Sequence, residues 1–184
     1  MLKIIRSTAR VLVACTLLLI LNSCSGVTGG LESFQSIDGR YAFLYPTGWS
    51  RVSVDNGPQV VLHDLINSDE TLSLVVSKIE SSTKLDQLGS PDVVGERLIN
   101  NVIAPEGTGR EALLLNTAKR DTKGHTYYDL EYTLTVANRQ RHELATVVID
   151  RDYLYTLATS TNEGRWPKVE GLFKKVVESF TFLI

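Results

Sequence analysis

The chain has 184 residues, of which 19 are Lys or Arg and 21 are Asp or Glu, so its formal net charge at neutral pH is −2. This length is sufficient for one domain with a hydrophobic core of its own. A mildly acidic chain is a poor candidate for nucleic-acid binding, which requires clustered positive charge.

The N-terminal residues predict a leader peptide. Three positive charges, at Lys3, Arg6 and Arg10, precede an uncharged apolar run over 11–21, which has the length of a secretory h-region and is too short to span a bilayer. The run ends in Leu21-Asn22-Ser23-Cys24, which resembles the lipobox of bacterial lipoproteins. The resemblance implies cleavage before Cys24 and a diacylglycerol on its sulfur. An ordinary signal peptide that is cut elsewhere is the alternative.

The predicted organisation has three parts: a signal peptide over 1–23, a lipidated N-terminus and flexible tether over 24–36, and a folded domain over 37–184. Residues 25–36 are small, polar and glycine-containing, which is typical of a tether. A dozen such residues reach about 20 Å, so the domain should work close to the lipid surface. Cys15 leaves with the leader and lipid occupies Cys24, which leaves the domain without a disulfide or a thiolate site.

Short strands followed by a helix are predicted in the first half of the domain. Alternating apolar residues between turn signals favour strands over 41–45, 59–66 and 71–79. The last of these is apolar on both faces, which is typical of a strand inside a sheet. Ser90-Pro91 followed by Asp92 indicates a helix start, and we expect that helix to end at Pro105.

The second half predicts four antiparallel strands and a last helix. The strands are expected over 110–120, 126–136, 142–149 and 153–160. In the second strand one face is apolar and the other, apart from Tyr127, is polar, so one face should be buried and the other partly exposed. A helix with an apolar stripe begins near Arg165, and 179–184 should add a short strand. These elements predict the α+β class, a sandwich on a mostly antiparallel sheet.

Four motifs, in this order, resemble the PsbP-domain family. Residues 39–49 run from a strand into a Pro-x-Gly-Trp turn, residues 88–95 lead into the first helix, residues 127–132 match Tyr-Tyr-x-x-Glu-Tyr, and Arg165-Trp166 opens the last helix. We interpret the aromatic residues of these motifs as core residues and not as a ligand cage. The resemblance covers about residues 37–184.

Membership of that family implies an α-β-α sandwich in the thylakoid lumen, associated with photosystem II. A bacterial lipobox in place of a chloroplast transit peptide makes the chain similar to the cyanobacterial members. The long N-terminal extension that docks the plant protein is missing. Assistance with assembly, repair or stabilisation of the photosystem is therefore a better expectation than retention of calcium and chloride at the water-oxidising centre.

Catalytic motifs are missing from the sequence. It contains no Gly-x-Ser-x-Gly elbow, no phosphate-binding glycine loop and no dinucleotide fingerprint. Asp150 and Asp152 lie in a turn signal, where carboxylates usually cap backbone amides. We therefore predict a protein that is not an enzyme.

Metal binding is left open by the histidines. Adjacent residues of a strand point to opposite faces, so neighbouring ligands need a bulge to reach one ion, and the spacing of a structural zinc site is missing. A divalent metal such as zinc, calcium or manganese remains an option, and surface or strand-end histidines are the alternative. The candidate ligands are His63, Asp64, Asp121, His125, His142 and Glu143.

Four arginines are expected to gather at one end of the predicted sheet. Alternate turns of antiparallel strands share one end, and a spacing of ~4.8 Å between strands places these residues within about 15 Å. Arginine suits bidentate recognition of carboxylates, so this end could meet acidic lumenal loops of photosystem subunits. Four separately solvated arginines are the alternative. The residues are Arg110, Arg139, Arg141 and Arg165.

The leading hypothesis is a non-enzymatic lipoprotein on the lumenal face of the thylakoid membrane that serves photosystem II core subunits or their assembly intermediates. An exported lipoprotein that binds a metal or a small ligand is the alternative, and an undetected hydrolase is the third reading. We expect a monomer that contacts the membrane through its lipid and does not bind nucleic acid.

Overall fold

A seven-stranded antiparallel sheet forms the centre of the fold. The computed structural model describes residues 30–80 and 83–183. The strands of this sheet are β3 (Trp49–Val52), β4 (Val60–Asp64), β5 (Thr71–Lys78), β6 (Arg110–Thr122), β7 (His125–Val136), β8 (Arg139–Asp150) and β9 (Tyr153–Asn162). Their order across the sheet is β3-β4-β5-β9-β8-β7-β6. As predicted, β5 lies inside the sheet, between β4 and β9.

The predicted four-stranded meander is confirmed as β6 to β9, which pair consecutively with their neighbours. Two-residue turns join β6 to β7 at Lys123-Gly124 and β7 to β8 at Ala137-Asn138, and all four of these residues have positive φ. Positive φ at both central residues matches the right-handed twist of the flanking strands. The meander therefore forms a continuous surface whose alternate turns lie at the same end.

A second, three-stranded sheet has the order β1-β2-β10, with β1 at Leu31–Gln35, β2 at Tyr41–Pro46 and β10 at Thr181–Phe182. The sequence predicts a flexible tether as far as Ser36. This prediction is wrong for Leu31–Gln35, because these residues pair with β2 along their whole length. Phe34 explains the difference, since its ring stacks on Phe43 with centroids 4.7 Å apart. β10 confirms the predicted C-terminal strand.

Two helices cover opposite faces of the large sheet. α1 (Pro91–Leu98) continues as a π-helical turn over Ile99–Ile103, so the predicted helix up to Pro105 is confirmed in two parts. α2 (Trp166–Glu178) confirms the last helix. Gly95 lets α1 approach the sheet closely, because a Cβ there would lie 3.0 Å from Leu114 Cδ2. A helix on each face gives the expected α+β fold, an α-β-α sandwich with an antiparallel central sheet.

Aromatic residues of the sequence motifs are part of the hydrophobic core, as interpreted from the sequence. Tyr128 and Tyr132 are buried on the α1 face of the sheet, and Tyr128 Oη donates a hydrogen bond of 2.9 Å to Gly89 O. Trp166 is buried on the α2 face with Phe173, and Trp49 meets Phe173 edge-on at 6.0 Å. Across the described ranges, no helix has the length and apolar character needed to cross a membrane.

Candidate docking surface

One end of the large sheet collects most of the charged residues singled out from the sequence. We call it the arginine end: the β4–β5 turn (65–70), the β7–β8 turn (137–138), the first residues of β6 and the 3₁₀ turn Glu163–Arg165. These segments meet because antiparallel strands place alternate turns at the same end of a sheet. All four predicted arginines are therefore found at this end, but they occupy two different environments.

Arg110 and Arg139 form the exposed pair. Each is the register partner of Val136, from β6 and from β8, so the two side chains point to the same face, about 10 Å apart at the backbone. Arg110 Nη1 donates to Ile103 O at 3.3 Å. Within residues 30–80 and 83–183, neither guanidinium lies within 4.0 Å of a carboxylate oxygen. The exposed pair therefore offers uncompensated positive charge.

Arg141 is directed into the protein. Its Nε donates to Ser160 Oγ at 2.8 Å, its Nη2 donates to Asp69 O at 2.6 Å, and its Nε lies 3.4 Å from Glu143 Oε1. Ser160 also donates its hydroxyl proton to Glu143. Burial raises the pKa of the Glu143 carboxyl to about 7, although the bonds from Ser160 and Arg141 oppose that rise. This guanidinium therefore compensates a buried acid.

Arg165 has a similar internal role. Its Nε is hydrogen-bonded to Glu70 Oε1, and the Glu70 residue is only 3% exposed. The bond joins the β4–β5 turn to the 3₁₀ turn that precedes α2, two segments 95 residues apart in sequence. A buried carboxylate without a partner is strongly unfavourable. We therefore assign Arg165 to the stability of this end and leave the exposed pair as the candidate docking residues.

His142 fixes the start of α2 on the sheet. Its Nδ1 lies 3.0 Å from Glu163 Oε2, its Nε2 lies 2.9 Å from Glu131 Oε1, and its ring stacks on Trp166 at 3.9 Å between centroids. The two ring nitrogens therefore face carboxylates from two different elements, the 3₁₀ turn and β7. The ring is nearly buried, with a side-chain exposure of 4%. It is therefore enclosed by its partners and has little access to a solvent-borne substrate.

The candidate metal ligands do not come together. His63 and Asp64 point to opposite faces of β4, as do His142 and Glu143 on β8. Asp121 accepts a hydrogen bond from Thr126 Oγ1 at 2.6 Å, whereas His125 Nε2 lies 3.1 Å from Asp150 Oδ1. In the described part of the chain, no group of three or more His, Cys, Asp or Glu side chains is arranged to hold a metal ion. Metal binding stays a prediction, which calorimetric titration with zinc, copper, manganese and calcium would test.

The strand that the sequence predicts over 59–66 includes two apolar residues of the arginine end. Leu65 and Ile66 instead lie beyond β4, in the β4–β5 turn, and are 66% and 91% exposed. Asp64 Oδ1 accepts a hydrogen bond from Ile66 N at 2.8 Å, and its Oδ2 accepts one from Asn67 Nδ2 at 2.9 Å. The bond from Asn67 lowers the pKa of Asp64. The Asp-x-x-Asn pattern was the available signal for this early end of the strand.

Comparison with known proteins identifies the family of this chain. The model of the PsbP family matches residues 29–182. The chain belongs to the PsbP family. It is 44% identical to CyanoP of Thermosynechococcus vestitus over 168 residues, with 88% of this chain and 91% of the relative covered. It is 42% identical to CyanoP of Synechocystis sp. over 185 residues, with 98% of each chain covered.

A solved PsbP-family structure agrees with the fold. The solution structure of CyanoP from Synechocystis sp. PCC 6803 matches with a TM-score of 0.73 at 40% identity, over 89% of this chain and 99% of that one. The PsbP match begins at residue 29, two residues before β1. The PsbP domain therefore includes the strand that the sequence had assigned to the tether.

Proposed function

We propose that this chain is a non-enzymatic accessory protein of photosystem II, held by lipid on Cys24 at the lumenal face of the thylakoid membrane and active in assembly, repair or stabilisation of the complex. The observation that carries the proposal is membership of the PsbP family across residues 29–182, together with similarity to CyanoP over 98% of both chains. Cys24 itself lies outside the described residues.

The chemistry of the arginine end supports a docking role. Arg141 and Arg165 are bonded to the protein's own acids, and His142 is enclosed between two carboxylates and a tryptophan ring. Arg110 and Arg139, by contrast, are exposed, and they lie on β6 and β8, the two strands that flank β7. Guanidinium groups bind carboxylates bidentately, so this pair fits acidic lumenal segments of photosystem core subunits or assembly intermediates.

Charge reversal at the exposed pair tests docking. In the full-length chain, Arg110→Glu with Arg139→Glu should reduce recovery of photosystem II subunits by about tenfold or more, because two attractive contacts become repulsive. Affinity purification from thylakoid membranes, followed by mass spectrometry, measures this recovery. Lys78→Glu with Lys175→Glu is the matched control, since it changes the net charge equally at two exposed positions outside the arginine end.

The two charge-reversal variants should each lose no more than about 1 kcal/mol of stability and remain folded, because all four positions are exposed and the largest losses are a charge at the end of α2 and one hydrogen bond of Arg110. Loss of recovery in the arginine variant alone supports docking through this end. Equal recovery with both variants would remove the docking assignment. Recovery of only unrelated envelope proteins with the wild-type chain would remove photosystem II as the partner.

A further inference from the structure

The β4–β5 turn exposes two neighbouring apolar side chains that the fold does not use. Leu65 is 66% exposed and Ile66 is 91% exposed. The turn is closed by hydrogen bonds from Asp64 N to Glu70 O at 3.1 Å and from Glu70 N to Asn67 O at 2.7 Å. Asp64 also caps Ile66 N. These bonds hold the tip of the turn, Leu65-Ile66, outside the core. Its apolar surface can therefore contact a lipid bilayer or another molecule.

The chain enters the folded domain at the same end as this tip. Leu31 is the register partner of Pro46, two residues connect Pro46 to Trp49, and Trp49 is the register partner of Asp64. These steps place the beginning of β1 within about 20 Å of Asp64. The turn between β1 and β2, which contains the fully exposed Ile37, lies at the other end of β1.

The covalent chain limits how far this end can lie from a lipid on Cys24. Seven residues, 24–30, precede β1, and a fully extended chain of that length spans at most about 25 Å. The opposite end of the large sheet is farther away by the length of the 12-residue β8, or about 40 Å. The end that carries Leu65-Ile66 is therefore the one that an anchored domain would hold near the membrane surface.

Two of the three acids beside the tip are paired with arginines, and the third is hydrogen-bonded within the turn. Asp69 lies 4.0 Å from Arg141, and Glu70 is hydrogen-bonded to Arg165. Asp64 accepts its hydrogen bonds from the turn itself. Internal pairing of these carboxylates limits their repulsion from anionic headgroups and leaves the two apolar side chains as the most prominent feature of the turn. A mixed surface of this kind suits the boundary between headgroups and acyl chains.

We propose that Leu65 and Ile66 insert into the interfacial region of the lipid bilayer and form a second, non-covalent contact beside the lipid anchor. This inference rests on the anchoring part of the proposed function. The lipid anchor alone would keep the domain at the membrane surface, whereas two contacts also fix its orientation relative to that surface. Arg139 and Arg110, about 15 and 25 Å along the same end of the sheet, are then held beside the membrane surface, where a membrane-embedded partner presents its extramembrane segments.

A polarity-sensitive probe at the tip tests the contact. In the lipid-bearing full chain, Ile66→Cys and the control Ile37→Cys each introduce one free thiol, because Cys15 leaves with the leader and Cys24 carries the lipid. Each is labelled with NBD and reconstituted on vesicles of phosphatidylcholine and phosphatidylglycerol. We expect the probe at position 66 to brighten severalfold and shift to shorter wavelength, while the probe at position 37 keeps its aqueous spectrum.

Three results would overturn the inference, and they are distinguishable. Protein that floats with vesicles while the probe at position 66 remains aqueous contradicts the tip contact and leaves the anchor intact. Protein that does not float contradicts the anchor as well. A probe that responds only when photosystem complexes are added assigns the tip to a protein partner and not to lipid. Both cysteine positions are exposed, so unchanged thermal midpoints exclude misfolding as the cause.

Discussion

Replacement of Arg165 by Met should lower the free energy of unfolding by about 2–3 kcal/mol, because the buried Glu70 carboxylate loses its partner, although the Arg165 side chain is 35% exposed and water weakens the pair. Glu70 is 3% exposed and its carboxylate is bonded to the Arg165 guanidinium. Without that partner, the turn must either bury an uncompensated charge or open to water. Urea unfolding at neutral pH, followed by circular dichroism, measures the loss.

Two further variants separate this ion pair from a general effect of losing an arginine. Arg139→Met removes an exposed guanidinium from the same end of the sheet and should change stability by less than about 0.5 kcal/mol. The double variant Glu70→Leu with Arg165→Met should recover most of the loss, because it leaves no buried charge. Equal stability of the Arg165 and Arg139 single variants would show that Glu70 does not depend on Arg165.

Glu143 should make the domain less stable at neutral pH than at mildly acidic pH. Burial raises the pKa of its carboxyl from 4.5 to about 7 in the folded chain. The folded chain therefore binds this proton more tightly than the unfolded chain does. The stability that the proton contributes is complete below about pH 4.5 and is lost as the pH rises towards 7, by an amount on the order of 3 kcal/mol.

Glu143→Gln isolates that contribution from those of other titrating groups. The amide cannot ionise. Between about pH 5 and 7.5, the unfolding free energy of the variant should therefore fall much less than that of the wild type. Denaturant unfolding across that pH range measures both proteins. A variant whose decline parallels the wild-type decline would show that Glu143 ionises normally in the folded chain.

Local pattern in the sequence was sufficient to predict most of the large sheet. The meander strands are long and alternate clearly, and their turns are short, so each was found within a few residues of its true bounds. β1 and β3 were missed because they are short and half polar. Both depend on pairing with other strands, as Phe34 of β1 shows by packing on Phe43 of β2.

The site was less predictable than the fold, because its contacts join distant parts of the chain. Strand topology correctly placed the four arginines at one end. Which of them remain exposed depends on Glu70 and Asp69, which precede Arg165 and Arg141 by 95 and 72 residues. No local pattern reveals such pairs. The exposed apolar tip was likewise hidden, since Leu65 and Ile66 continue the apolar run of β4 and only Asp64 and Asn67 end the strand.

Membrane attachment through Cys24 underlies both the proposed function and the proposed lipid contact of the tip. The most direct test compares the wild type with Cys24→Ala by fractionation of cells with a high-salt wash, and determines the mass of the wild-type N-terminus. We expect wild-type protein in the membrane fraction with a lipid-modified N-terminus at residue 24, and the alanine variant in the soluble fraction. A variant that still sediments after the wash, or a wild-type N-terminus without lipid, would contradict attachment through this residue.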